Sequence, residues 1–229
     1  MKTAIRVNRD IQSEKKQRAT AFREKLTRQG TLILNLVSSP GTGKTSLLEA
    51  TARELGNRLR LGVLVGDLAT DRDAQRLAPF VPVRQLTTGG ACHLEISLVE
   101  QGWQELGEPE LDILFIENVG NLVCPASHDL GEHIRASLLS TTEGDDKPGK
   151  YPKMFRTSQV MLLTKMDLLP HLPFCVEDAI EDARLIQPDL DIFTTSAISG
   201  EGIPQWCEYL EQQRQKLVAN VRASENATD

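Results

Sequence analysis

The run Ser38-Ser39-Pro40-Gly41-Thr42-Gly43-Lys44-Thr45 has the residue types and spacing to hold the phosphates of a nucleotide. It follows a strand-like stretch, 31–37, and opens a helical pattern, which is the context a phosphate-binding loop needs. Successive backbone N–H groups can wrap phosphate oxygens and Lys44 can reach the β- and γ-phosphates. The Thr45 hydroxyl can ligate Mg²⁺ at the positive end of a helix. Pro40, Gly41, Thr42, Gly43, Lys44, Thr45 and Ser46 are therefore the expected nucleotide contacts. The strict pattern begins with Gly where this chain has Ser38, a change in the loop's first turn that leaves the Gly43-Lys44-Thr45 core intact. A glycine-rich turn without a ligand is the alternative, and the strand–loop–helix context argues against it.

A second nucleotide element is Thr164-Lys165-Met166-Asp167, directly after an apolar strand-like run. A carboxylate at Asp167 can accept from guanine N1–H and N2–H₂, donors that adenine does not offer together, while the Lys165 stem covers the ring. GTP is thus favoured over ATP. The usual form begins with Asn, which braces the loop, and Thr164 brings only a hydroxyl, so weaker base affinity is the expectation. Lys-x-Asp alone is a weak motif. Ser196-Ala197-Ile198-Ser199-Gly200, which also ends a strand-like run, strengthens it as a second base-contacting loop.

Glu117 ends the run Phe115-Ile116-Glu117 three residues before Gly120, a spacing that suits a carboxylate for Mg²⁺ and a backbone N–H that senses the γ-phosphate. Asp67, after another strand-like run, is placed for Mg²⁺ or its waters, and Asp73 for orienting the attacking water. Helix capping competes with these roles at Asp71 and Asp73. Lys44, Asp67, Asp73 and Glu117 are the candidate catalytic groups, with Thr45, Asp67 and Glu117 around Mg²⁺.

Cys92 and His93 follow the Thr87-Thr88-Gly89-Gly90 turn, and Cys124 lies just beyond Gly120. Two thiolates and an imidazole suit Ni²⁺ or Zn²⁺, and their place beside the Glu117–Gly120 segment would couple metal to nucleotide. Three ligands leave a tetrahedral site one short, so a dimer or a water would complete it. Taken singly, each could be a buried cysteine or a satisfied loop histidine. Cys175 and Cys207 are expected in the core. His128 and His133 are poorly phased for joint ligation, and His171 lies beside turn prolines.

These groups need a scaffold that brings loop ends together. Strand-like runs at 31–37, 61–65, 81–86, 113–117, 160–163 and 192–195 alternate with helical patterns, which predicts an α/β P-loop fold with a mostly parallel sheet flanked by helices. In that fold, ligands collect at the carboxyl ends of the strands. A chain of 229 residues with 40% hydrophobic content suits one such domain. The expected organisation is a basic helical arm at 1–30, the GTPase domain at 31–218 and a flexible polar tail at 219–229. The arm has a thin apolar stripe of Ile11, Ala19, Phe22 and Leu26, which would lie on the core or dock a partner. A net charge of −6 argues against a nucleic-acid groove. No run has transmembrane length and the charged N-terminus has no signal-peptide core, so a cytoplasmic protein whose cysteines are thiols or metal ligands rather than disulfides is expected.

The chain resembles the nickel-incorporation GTPases of nickel–iron hydrogenase maturation, the HypB family, from about Gly30 to Trp206. The carriers are Pro40–Thr45; Gly66-Asp67 with Thr70 and Asp73-Ala74; Cys92-His93-Leu94; Glu117-Asn118-Val119-Gly120-Asn121-Leu122-Val123-Cys124-Pro125; Glu143–Pro148; Lys150-Tyr151-Pro152; and Lys165 with Asp167. The resemblance implies slow GTP hydrolysis, a GTP-dependent homodimer, and a nickel or zinc site of Cys92, His93 and Cys124 at its interface. Nickel would be delivered to a hydrogenase large-subunit precursor with a small zinc-containing metallochaperone of the HypA type as partner. It also implies that a lysine of the 143–153 loop, Lys150 first and Lys153 second, reaches the partner's nucleotide.

Two places depart from the family pattern, Thr164 for Asn and His128 for an aromatic residue, and the cysteine-rich or histidine-rich N-terminal stretches of some members do not occur in this sequence. Nickel storage and tight binding ahead of Cys92 are therefore not expected. The alternatives are the urease nickel-insertion GTPase, whose metal motif is Cys-Pro-His, and less favoured, a small P-loop kinase or a metal-binding module with a structural nucleotide.

Overall fold

The computed structural model describes residues 2–67 and 71–226, with the side chains of 2–11 and 225 outside that description. Seven strands, β1 (Leu32–Ser38), β2 (Leu61–Asp67), β3 (Val83–Thr87), β4 (Ile113–Glu117), β5 (Ile134–Ser140), β6 (Val160–Thr164) and β7 (Asp191–Thr194), form one sheet in the order β3-β2-β4-β1-β5-β6-β7. Every pairing is parallel. The crossovers carry α1 (Lys2–Arg28) ahead of β1, then α2 (Lys44–Leu55), α3 (Arg72–Leu77), α4 (Ile96–Glu105), α5 (Lys147–Lys150), α6 (Pro152–Arg156) and α7 (Val176–Ile186), with α8 (Ile203–Asn226) last.

The core lies in two layers because side chains alternate along each strand. Leu32, Leu34 and Leu36 of β1 pack with Leu48 of α2 and Trp206 of α8. Ile33, on the opposite face, packs with Phe22 and Leu26 of α1 and Trp103 of α4. The basic arm is thus clamped to the domain by Ala19, Phe22 and Leu26 of its apolar stripe, the Ile11 side chain lying outside the described residues. Its cations pair with the domain's acids: Lys15 with Glu95 and Lys25 with Glu108, each within 2.7 Å, and Arg18 with Glu100. Such exposed pairs contribute little individually, so the stripe carries the attachment.

Three features differ from the sequence expectation. β5 was not foreseen, because Arg135, Ser137 and Ser140 interrupt its apolar pattern, yet all seven residues are buried between β1 and β6. The expected tail is helical as far as Asn226, since α8 continues past the domain, and 227–229 lie outside the described residues. Cys207 is core, whereas Cys175 stands partly exposed at the start of α7 with Sγ 3.6 Å from Glu177. Among the described residues no helix is long and apolar enough to cross a membrane.

Candidate functional site

Because every strand runs the same way, the loops after β1, β2, β4, β5, β6 and β7 open at one end of the sheet. There the phosphate loop, Glu117 and Lys165 enclose a cleft of ≈ 420 Å³. Gly41 and Gly43 take positive φ, 73° and 101°, which turns the loop so that α2 begins at Lys44. Lys44 is buried and donates to Ser38 Oγ at 3.0 Å, so the hydroxyl at the departed position satisfies the lysine. Burial pulls the Lys44 pKa down against the carboxylates around it, Glu117 foremost.

Thr45 Oγ1 donates to Glu117 Oε1 at 2.8 Å. Glu117 Oε2 is buried without a hydrogen-bond partner among the described residues, and desolvation pushes this carboxyl up to about 7 despite Lys44. A hydroxyl and an orphaned carboxylate oxygen side by side suit a hard divalent cation, so the residues fit Mg²⁺. Asp67 and Asp73 line the same cleft, and Thr70 lies outside the described residues. Gly120 also lines it, and a Cβ there would meet the Pro40 backbone at 2.9 Å, so the segment after β4 touches the phosphate loop.

Lys165 adopts a left-handed backbone, φ 59°, and its Nζ donates to Gly41 O at 2.7 Å, which lays the stem along the phosphate loop. Thr164 Oγ1 donates to Thr42 O at 2.7 Å. Asp167 Oδ1 accepts from Ser196 Oγ at 2.5 Å, so the two loops expected to contact the base meet, and Ala197 follows in the same turn. Glu143 Oε1 accepts from Thr42 Oγ1 at 2.8 Å, which joins the 143–153 loop to the phosphate loop. Neither Lys150 nor Lys153 lines the cleft of its own chain. Lys150 pairs with Asp146 at 2.5 Å, and Lys153 donates to Ser127 Oγ at 2.6 Å.

The second centre forms where the loop before α4 meets the loop after β4. Cys92, His93 and Cys124 offer donor atoms that all lie within 4.8 Å of one another. Cys92 Sγ and Cys124 Sγ are in direct contact, and the neighbouring Cys92 thiol raises the Cys124 pKa. Burial, then the neighbouring His128, lowers that of His93, which favours the neutral imidazole a metal takes. His128, where the resemblance leads to the expectation of an aromatic residue, stacks on His93 with ring centroids 3.8 Å apart, so it supplies a planar partner. His133 is remote from this centre; its Nδ1 accepts from Ile33 N at 2.9 Å.

Asn118 joins the two centres. Its Oδ1 accepts from the N–H of its own neighbour Val119, two residues beyond Glu117, and from Leu94 N beside His93, at 3.0 and 3.3 Å. Its Nδ2 donates to Asn35, whose own Nδ2 donates to Glu132, the ion-pair partner of Arg135. Arg135 Nη2 in turn donates to His128 O at 2.6 Å. Sequence reasoning missed this buried chain and the cleft residue Arg76, which donates to Ser46 Oγ at 3.1 Å. The one signal for Arg76 was its position three residues after Asp73 on a helix.

Residues 32–194 match the family model for the CobW/HypB/UreG nucleotide-binding domain. Among curated relatives, the hydrogenase maturation factor HypB of Azotobacter vinelandii is 48% identical over 211 residues, 92% of this chain and 70% of that protein. The hydrogenase/urease maturation factor HypB of Helicobacter hepaticus is 42% identical over 218 residues, 93% and 89% of the two chains. The crystal structure of HypB from Helicobacter pylori in complex with nickel superposes with a TM-score of 0.84 at 37% identity, covering 89% of this chain and 96% of that one.

Proposed function

Since the chain belongs to the HypB hydrogenase maturation factors, P-loop GTPases of the CobW/HypB/UreG family, we propose that it uses GTP binding and hydrolysis to gate the delivery of nickel held by Cys92, His93 and Cys124. The observation that carries this reading is the Asn118 side chain, which bonds to the backbone of both the Glu117 segment and the Cys92-His93 loop. A movement after Glu117 that follows the γ-phosphate therefore pulls on a metal ligand's neighbour.

In the nucleotide cleft, Lys44 neutralises phosphate charge, and the backbone of Pro40–Ser46 together with Gly120 holds the phosphates. Thr45, Asp67 and Glu117 hold Mg²⁺, which when bound supplies further charge neutralisation. Asp73 orients water, Asp167 and Ser196 select guanine, and Lys165 covers the base. Lys150, or Lys153 after it, is a cation for the partner chain's nucleotide, which makes dimer formation GTP-dependent. Pairing two chains places two thiolate sets together and completes the coordination that three ligands leave open. The acceptor is a hydrogenase large-subunit precursor, reached with a small zinc-containing nickel chaperone, and Zn²⁺ suits the same Cys/His set as a resting ion.

Nickel titration with GDP and with a non-hydrolysable GTP analogue tests this, following the thiolate charge-transfer band together with mass distribution. A band that changes with nucleotide, accompanies dimer formation and vanishes in Cys92→Ala is the expected result. A band indifferent to nucleotide overturns the gating.

A further inference from the structure

Beside the thiols lies another donor cluster. His93, Glu95 and His128 offer one ligand atom each, all within 4.8 Å of one another. His128 Nδ1 is 2.9 Å from Cys124 O. A carbonyl only accepts, so Nδ1 carries the proton and Nε2 keeps its lone pair, the tautomer a metal ligand requires. His93 Nε2 is buried and has no hydrogen-bond partner among the described residues, and Glu95 Oε1 stands 3.7 Å from it, too far for a hydrogen bond. Two donors bound about 2.1 Å from one ion lie roughly 3 to 3.4 Å apart, so a small shift closes this pair around a cation. A cavity of ≈ 750 Å³ lined by Glu95, His128 and Lys15 adjoins the cluster and supplies an entry path.

We propose that His93, Glu95 and His128 form a second site for a divalent transition-metal ion, of nitrogen and oxygen character, adjoining the thiolate set and sharing His93 with it. With one ion bound, His93 ligates through one nitrogen as neutral imidazole; with both sites filled it bridges the two ions as imidazolate, its remaining N–H proton going to solvent. Two imidazoles and one carboxylate, with water in the remaining positions, suit Ni²⁺, Co²⁺ or Zn²⁺. His93 Nδ1 faces Cys92 Sγ at 3.8 Å while its Nε2 faces Glu95. The ring therefore lies between the two donor sets, and an ion leaving the thiolates meets the next ligands one imidazole away. Transfer is ligand exchange at constant oxidation state; the ion displaces Lys15 Nζ, 2.7 Å from Glu95 Oε1 in its absence. The site stands on its own donors and does not require the thiolate assignment.

The test is Co²⁺ and Ni²⁺ titration of the full chain and of Cys92→Ser/Cys124→Ser, reading bound metal per chain, the thiolate charge-transfer band and paramagnetically shifted imidazole N–H signals. The double variant should still bind one ion, with imidazole signals and no thiolate band. Adding His128→Phe, which keeps a stacking ring, or Glu95→Gln should weaken that binding about tenfold or more while GTP affinity is unchanged. In the otherwise native chain, His128→Phe should remove one ion and leave the thiolate band, an independent reading if the cysteine variant misfolds. Binding indifferent to both His128→Phe and Glu95→Gln, or no ion in a folded cysteine variant, overturns the proposal. Loss of the thiolate band from the native chain would count against the nickel site of Cys92 and Cys124 alone.

Discussion

Thr164 Oγ1 donates a 2.7 Å hydrogen bond to the carbonyl of Thr42, which ties the Thr164–Asp167 loop to the phosphate loop across 122 residues of sequence. Bracing of this loop is what an Asn at this position is expected to supply, and here the hydroxyl at the end of β6 makes a link to the phosphate loop. Thr164→Val keeps the shape and deletes the donor. GDP affinity should fall roughly fivefold, about 1 kcal/mol, in a fluorescent-nucleotide titration, with the melting temperature little changed. Unchanged affinity would mean that the brace does not reach the nucleotide.

Glu117 makes nucleotide-free stability depend on pH. Its folded pKa of about 7 exceeds the ordinary 4.5, so the folded state binds the proton more tightly. The contribution to stability is complete below 4.5 and is lost as pH rises to about 7, an interval worth about 3 kcal/mol. Glu117→Gln removes the titration. The melting temperature of this variant relative to the native chain should rise between those two pH values and level off above. A divalent cation at this carboxylate must displace the same proton, so Mg²⁺-supported nucleotide affinity should weaken below about 7.

Gly120→Ala should damage nucleotide binding more than folding. Its Cβ would lie 2.9 Å from Pro40 Cα and N, backbone atoms that cannot swing aside, so the loop after β4 and the phosphate loop must separate. Overpacking of this kind costs about 1–3 kcal/mol. Calorimetry should find that loss in GDP affinity, whereas a loss confined to thermal stability would relieve Gly120 of a role in the cleft.

Arg135 and Glu132 are both buried, with nitrogen and oxygen 2.6 Å apart. Removing one partner leaves the other charge uncompensated, so Arg135→Met should lower unfolding free energy by about 3–5 kcal/mol in a denaturant titration. If the cost is under about 1 kcal/mol, water reaches Glu132 and the pair is not the anchor of the buried chain.

Asn118→Ala removes the acceptor shared by Leu94 N and Val119 N. The expected outcome is a chain that still binds GTP and still shows the nickel–thiolate band, but whose nickel affinity no longer differs between GDP and the GTP analogue. A nucleotide response equal to that of the native chain would place the coupling elsewhere.

What the sequence by itself determined were the features written in contiguous residues. The phosphate loop, the Lys165–Asp167 and Ser196–Gly200 loops and the Cys92-His93 pair are short runs whose residue types and order single them out where they stand, and the fold brings Ser196 to Asp167 and Cys92 to Cys124. Alternation of apolar runs with helical patterns sufficed for a parallel sheet, which in turn required these loops to share one end. The tertiary structure alone decided what depends on partners far along the chain. β5 reads as broken because Arg135 is polar, and it is a central strand because Glu132, the His128 carbonyl and Ala126 O satisfy that guanidinium where it is buried. Likewise, the spacing of His128 from every other histidine concealed its stacking on His93, and nothing near Glu95 announced that the fold would turn it toward the same ring. Burial of polar groups is tolerated only when their partners arrive from other elements, and those partners are known only once the chain has folded.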